Sequence, residues 1–263
     1  MPVAALTELP SDLPLVRRLS TGELLRCLAR GLSDVVAAPG PALLHGAGVA
    51  GFGWLILALG HSGSWWVPGA LSGFVLVGPI LATGLYETAR LRELGRCPQV
   101  SDVLAVWRRG TRPLIRLGLL LAGVALGWMG FSALLFGLFV SVPLTQSQAF
   151  IRYVVQGQGD QLFALWTVLG GLGAALVFAL TVVSAPLMLE RKIGFRRALL
   201  TSVCAVGDNP WVMGLWAALI MAATWVGIAT AMLGFILVVP VVGCTTWHVY
   251  RAVIDAGSLP LRN

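Results

Sequence analysis

The chain has 263 residues, of which 57% are apolar and only 11% charged, with a formal net charge of +7 and a mean hydropathy of +0.87. A soluble domain carries about 25% charged residues. Here several windows run about twenty residues without a charge, the length that crosses roughly 30 Å of hydrocarbon, which excludes a soluble globular domain.

Residues 1–19, with Pro2, Pro10 and Pro14 and little periodicity, read as a flexible N-terminal tail. No secretory signal is visible in the first forty residues. Ser20-Thr21-Gly22-Glu23 has the form of a capping box, in which serine and glutamate satisfy each other's backbone amides. It predicts a helix to about Ala38, with Leu24, Leu28, Leu32, Val35 and Val36 on one face and Arg26, Arg30 and Asp34 elsewhere. Such a helix lies at a membrane surface, and Pro39 and Pro41 end it. Span 1 runs from about Ala42 to Gly60. Its pairs Gly46/Ala50 and Ala47/Gly51 have the four-residue spacing of small side chains that lets helices approach closely in lipid. A short turn carries Trp65 and Trp66 at interface depth. Span 2, from about Val67 to Glu87, contains Gly78-Pro79, the first expected helix kink. Tyr86, Glu87, Arg90, Arg92, Glu93 and Arg96 then crowd into eleven residues, as in a chain leaving lipid for water.

Residues 88–116 are basic, and Ser101-Asp102 can cap a second surface helix with Val103, Leu104 and Trp107 facing down. Span 3, from about Leu117 to Val140, holds Gly123-x-x-x-Gly127. Residues 141–160 form a polar loop with Arg152 and Asp160 as its only charges. Span 4 runs from about Gln161 to Leu189 and includes Pro186. Glu190, Arg191 and Lys192 follow it. Phe195, Leu199, Val203 and Val206 predict a third surface helix, ended by Gly207-Asp208-Asn209-Pro210. Spans 5 and 6 occupy Trp211 to Tyr250, with a tight turn near Leu233-Gly234 and a proline at Pro240. A C-terminal tail covers residues 256–263.

The expected fold is therefore an all-α integral membrane protein of six transmembrane helices, arranged as three hairpins, with short amphipathic helices on the cytoplasmic side. Residues 20–255 form a single domain. With six spans, both termini and the loops after spans 2 and 4 share one side, and seventeen of eighteen cations and ten of eleven acids lie there. The positive-inside rule places that side in the cytoplasm of a bacterial inner membrane, against anionic headgroups. Cys27, Cys97, Cys204 and Cys244 are scattered and read as free thiols.

Several motifs together resemble a known family. They are Gly31 with Asp34 and Pro39, GPILATGLYETARLRELG from Gly78 to Gly95, SAPLMLER from Ser184 to Arg191, and Asn209-Pro210 with Met213 and Trp216. The set ends with Pro240, Gly243 and Trp247-His248-x-Tyr250-Arg251. Over roughly residues 24–252 the chain resembles the bacterial integral membrane family catalogued as domain of unknown function twenty-one eighty-nine. The resemblance implies six inner-membrane helices and no activity.

The middles of spans 1, 3 and 5 carry no acid or base, whereas ion-coupled transporters place an ionisable group at mid-depth. Polar groups gather instead at the cytoplasmic helix ends: His45, Tyr86, Glu87, Arg90, Glu190, Arg191, Asp208, Asn209, His248, Tyr250 and Arg251. As a ring they form either a cytoplasm-facing vestibule or ordinary interfacial anchors. Three histidines without ligand spacing assign no metal, and no serine or cysteine has a base in a catalytic arrangement. Pro79, Pro186 and Pro240 each free a carbonyl one turn earlier, giving a static bend or a gating hinge. Neither catalytic residues, cofactor, metal nor nucleic-acid partner is expected. The reading is a scaffold, accessory or assembly component of a membrane complex. The alternative is a small-molecule or lipid transporter or channel.

Overall fold

The computed structural model describes residues 13–60, 66–108, 111–139 and 160–262. It is nearly all α. The helices are α1 (Thr21–Ala37), α2 (Pro39–Leu59), α3 (Val67–Leu76), α4 (Gly78–Leu81), α5 (Thr83–Glu93) and α6 (Val100–Arg108). They continue with α7 (Arg112–Phe139), α8 (Asp160–Thr181), α9 (Ser184–Glu190), α10 (Phe195–Asp208), α11 (Pro210–Ala229) and α12 (Phe235–Val253). Among the described residues, five stretches are long and apolar enough to cross a membrane: Pro39–Leu59, Arg112–Leu138, Gln161–Glu190, Pro210–Ala229 and Phe235–Val253. The turn expected at 61–65 and most of the polar loop, with Arg152, lie outside the described residues.

The expected second span is not one bent helix. It is divided into α3, α4 and α5, and its apolar part, α3, has ten residues, roughly 15 Å. Pro79 has no amide to give the carbonyl of Val75, and its ring crowds that carbonyl. The chain closes α3 with a tight bond from Val77 N–H to Phe74 O at 3.1 Å and restarts at Gly78. In the stretch Gln161–Glu190 the break falls at Val182-Val183, where the Val183 amide donates to Ser202 Oγ at 3.1 Å. Pro186 then sits in the first turn of α9. Of the three prolines, Pro240 is the one inside a continuous helix.

The capping box forms in both directions: Ser20 N–H donates to Glu23 Oε2 at 2.7 Å, and Glu23 N–H to Ser20 Oγ at 3.3 Å. The face that α1 buries differs from the expected stripe. Leu24, Cys27, Gly31, Asp34 and Val35 point inward, while Leu32 and Val36 are exposed. The small residue decides this. A Cβ at Gly31 would lie 2.6 Å from the Thr245 amide nitrogen, so only this face lets α1 lie against α12.

Helix α12 is the centre of the fold. Its residues 243–250 are buried all round, and α1, α2, α5 and α11 pack about it. Helix α2 meets it through Gly46 and the buried Ala50, and Gly53 faces the Met232 side chain in the turn before it. The other small pair, Ala47 and Gly51, faces outward. Helix α3 lies along α7, with Gly73 against the Ala125 carbonyl and Trp128 Nε1 donating to Ser72 Oγ at 2.7 Å. Among the described residues, nothing lies within 4 Å of a Cβ placed at Gly123 or Gly127 of α7. Trp166 of α8 stacks near Trp128 at 5.7 Å and donates to Ser132 Oγ at 2.9 Å.

The termini are held more firmly than the sequence suggested. Leu15–Val16 pairs antiparallel with Ile254–Asp255, and Arg17 bonds Asp255 at 2.6 Å. Residues 13–19 are therefore docked rather than a free tail. The C-terminal segment is docked too: Lys192 N–H donates to Pro260 O at 3.0 Å and Arg262 N–H to Glu190 O at 2.9 Å. The tight turn expected near Leu233-Gly234 is present between α11 and α12. Its left-handed positions are Ala231 and Met232, with φ of 50° and 71°, while Gly234 caps α12 in ordinary helical geometry.

Candidate functional site

The polar groups expected as one ring resolve into separate clusters, most of which join different helices. Glu190, the last residue of α9, is buried at 8% exposure and is the hub of the largest. Tyr250 Oη donates to its Oε2 at 2.5 Å, Arg191 Nε lies 3.3 Å from the same oxygen, and Arg251 Nη1 donates to Oε1 at 3.3 Å. Arg251 also bonds Glu93 through Nε at 3.2 Å, and Trp247 Nε1 donates to the other Glu93 oxygen at 3.0 Å. The hydroxyl and the two guanidiniums offset the cost of burying the Glu190 carboxylate. Arg191 in turn donates to the Leu259 carbonyl at 2.8 Å, which fixes the C-terminal segment.

Beside this cluster, Arg90 grips Glu87 with two bonds of 2.7 Å. A third cluster joins α1 to α12: His248 Nε2 lies 2.7 Å from Asp34 Oδ2, with Arg92 Nε 3.9 Å from the other oxygen. Asn209 works differently, as a clamp on the N-terminal segment. It accepts from Leu19 N–H at 2.6 Å and donates to the carbonyls of Arg17 and Ala205 at 3.1 Å each. Asp208 is exposed.

His45 stands apart from these clusters. It is hydrogen-bonded to the Leu81 main chain and packs on Gly84, so it and His248 have separate partners. Tyr86 is buried in the apolar core. Among the described residues no three His, Cys, Asp or Glu side chains gather to hold a metal.

Asp34, Arg92, Glu93 and Trp247 belong to these clusters and were not singled out as site residues. Trp247, Tyr250 and Arg251 share one face of α12 by their three- and four-residue spacing. That face was the available signal for Trp247. Asp34 shares a face with Cys27, Gly31 and Val35, and a carboxylate on such a stripe calls for a cationic partner.

A cleft of about 750 Å³ opens between α2, α3, α6 and α7. Leu44, Phe52, Phe74, Val103, Leu126 and Met129 are among its walls, and His45 is the polar side chain among the described residues that line it. Pro79, Pro186 and Pro240 do not line it.

No curated protein and no solved structure matches the chain. A family model matches a narrower stretch than the motifs suggested. It takes in GPILATGLYETARLRELG and ends at Glu190, so Asp34, Asn209 and His248 fall outside it. Over residues 66–190 the chain matches the family described as predicted integral membrane protein (DUF2189), the family its motifs resemble, and with its five long apolar helices it is a multi-pass integral membrane protein.

Proposed function

We propose that the protein is a non-catalytic six-span component of the bacterial inner membrane, serving as a scaffold, accessory or assembly factor of a larger complex. The single observation that carries this reading is how the polar groups are used. Glu190, Tyr250, Arg251, Glu93, Asp34 and His248 bond one another across helices, so they act as fasteners. A face for a partner is offered by Gly123 and Gly127, which leave the backbone of α7 open to close approach.

In this reading α3 to α5 make the sixth crossing, and consecutive crossings pair as three hairpins. Both termini and the basic segments face the cytoplasm and its anionic headgroups. The excess of arginine on that side supports the orientation. Cys97, a free and exposed thiol, is a natural probe. With the other three cysteines replaced, an impermeant maleimide added to intact cells should leave Cys97 unlabelled and should label Gln156→Cys. Equal labelling would overturn the orientation.

The partner role is tested by mild detergent extraction. A protein partner should copurify with the chain and be lost in Gly127→Leu, whose side chain enters open space and leaves the fold intact. A second reading, the transporter or channel, is favoured by the cleft beside His45. It ranks second because the cleft is not lined by the prolines that would act as hinges.

A further inference from the structure

We propose that the cleft between α2, α3, α6 and α7 is a binding site for one acyl chain of an anionic phospholipid. Its size and shape select the occupant. A volume of about 750 Å³ lies within the roughly 300–1,000 Å³ of sites that hold one small organic molecule. The walls run along α2 from Pro41 to Ile56, which at 1.5 Å per residue is roughly 22 Å. That length and that lining suit an extended hydrocarbon chain. An apolar lining with one histidine gives water too few partners to stay. The trough is made by small residues on three helices, Gly48, Ala70, Gly73, Ala122 and Ala125.

The charge of the headgroup follows from what stands at the α6 end of the trough. Pro41, Leu44, His45 and Leu81 lie at the same end as α6, whose Val100, Val103 and Leu104 cover it. Helix α7 runs antiparallel to α3, with Gly73 at Ala125 and Gly118 at Ile80, so its N-terminus is at that end too. Ala122, Leu126 and Met129 line the trough. The same three- and four-residue spacing leads back through Leu119 and Ile115 to Arg112. Arg112 is exposed, and among the described residues no carboxylate pairs with it or with Arg96 or Arg116. A phosphate at this end meets unpaired guanidiniums, while its chain runs down the trough toward Met129.

The site stands apart from the accessory role, since loss of a protein partner would leave lipid occupancy unchanged. The test is photolabelling of the full-length protein in phosphatidylcholine vesicles, with phosphatidylglycerol bearing a diazirine in one acyl chain. Adducts should concentrate on Phe52, Phe74 and Met129. A tenfold excess of unlabelled phosphatidylglycerol should reduce them about fivefold, and added phosphatidylcholine should not. Gly48→Leu fills the trough from a position with open space around it and should abolish the adducts. Ala122→Phe should do the same from the opposite wall, and Gly51→Leu, on the outer face, should not. Arg112→Gln should remove the preference for phosphatidylglycerol over phosphatidylcholine. Adducts spread evenly over the outer faces of α7 and α8, equal competition by phosphatidylcholine, or competition by oleate alone would each overturn the proposal.

Discussion

Gly46 of α2 packs on the main-chain carbonyl of Ile236 in α12, so closely that a side chain at position 46 would run into it. That carbonyl is the one left without its helical partner by Pro240, four residues on. One proline and one glycine, far apart in sequence, thus make a single joint. The proline exposes a carbonyl, and the missing side chain lets a neighbouring backbone cover it.

The joint gives a matched pair of substitutions. Gly46→Ala should destabilise the bundle by about 2 kcal/mol, because the wall it meets is backbone and cannot turn aside. Gly51→Ala, one and a half turns along the same helix, meets nothing within 4 Å and should stabilise by up to about 1 kcal/mol through helix propensity. Thermal unfolding midpoints in one detergent measure both, and equal shifts would mean that the close approach is not a stabilising contact.

The Asp34–His248 pair should matter more than a surface ion pair. Both residues are at 8% exposure, and removing one partner of a buried pair costs about 3 kcal/mol. Asp34→Ala should therefore lower the unfolding midpoint and release α1 first, as seen by faster amide exchange at residues 24–35. Asp34→Asn still accepts from the ring and should cost about 1 kcal/mol. Equal exchange in both variants would leave α1 docked by the Gly31–Thr245 contact alone.

What the sequence made legible follows from which forces act locally. The capping box of Ser20 and Glu23 forms because its two residues are three apart. Five helices long and apolar enough to cross a membrane were readable because length and apolarity are local properties. The division of the expected second span was not, because Pro79 states that a helical bond is missing but not how far the chain turns there. The inward face of α1 depended on a contact with Thr245 that no local pattern encodes. The polar residues were visible as a class at helix ends. Their pairing was not, since Glu190 with Tyr250 and Asp34 with His248 join positions 60 and 214 residues apart.

Two backbone positions make opposite predictions for the same kind of exchange. Gly95 ends α5 at φ 71°, with Arg96 N–H reaching Leu91 O at 2.9 Å and Gly95 N–H reaching Arg92 O at 2.9 Å. This is a left-handed cap that glycine adopts without strain, so Gly95→Ala should cost about 1 kcal/mol. Ala231 holds φ 50° with a side chain present. Ala231→Gly should raise the unfolding midpoint by the equivalent of about 0.5 kcal/mol, the relieved strain being partly offset by chain entropy. Met232 shares the left-handed geometry, but its side chain packs on Gly53, so Met232→Gly should destabilise. A gain from Met232→Gly would show that the strain there outweighs the packing.

Acid should loosen α1 at its start. The Ser20 amide and hydroxyl both bond the Glu23 carboxylate and hold it below the usual range, with weaker help from Arg26. Because the folded value is lowered, the contribution is complete above the unfolded glutamate value of 4.5 and is lost as pH falls through the lower folded value. Protonation takes from the Ser20 amide its charged acceptor at 2.7 Å. The protection factor of that amide, corrected for intrinsic exchange, should be flat from neutral pH to about 4.5 and fall below it. Glu23→Gln keeps a hydrogen-bond acceptor without the charge and should remove the pH dependence while leaving the helix in place. A fall that persists in Glu23→Gln would assign the acid response to another carboxylate, of which Asp255, held low by the Gly257 amide and Arg17, is the nearest in kind.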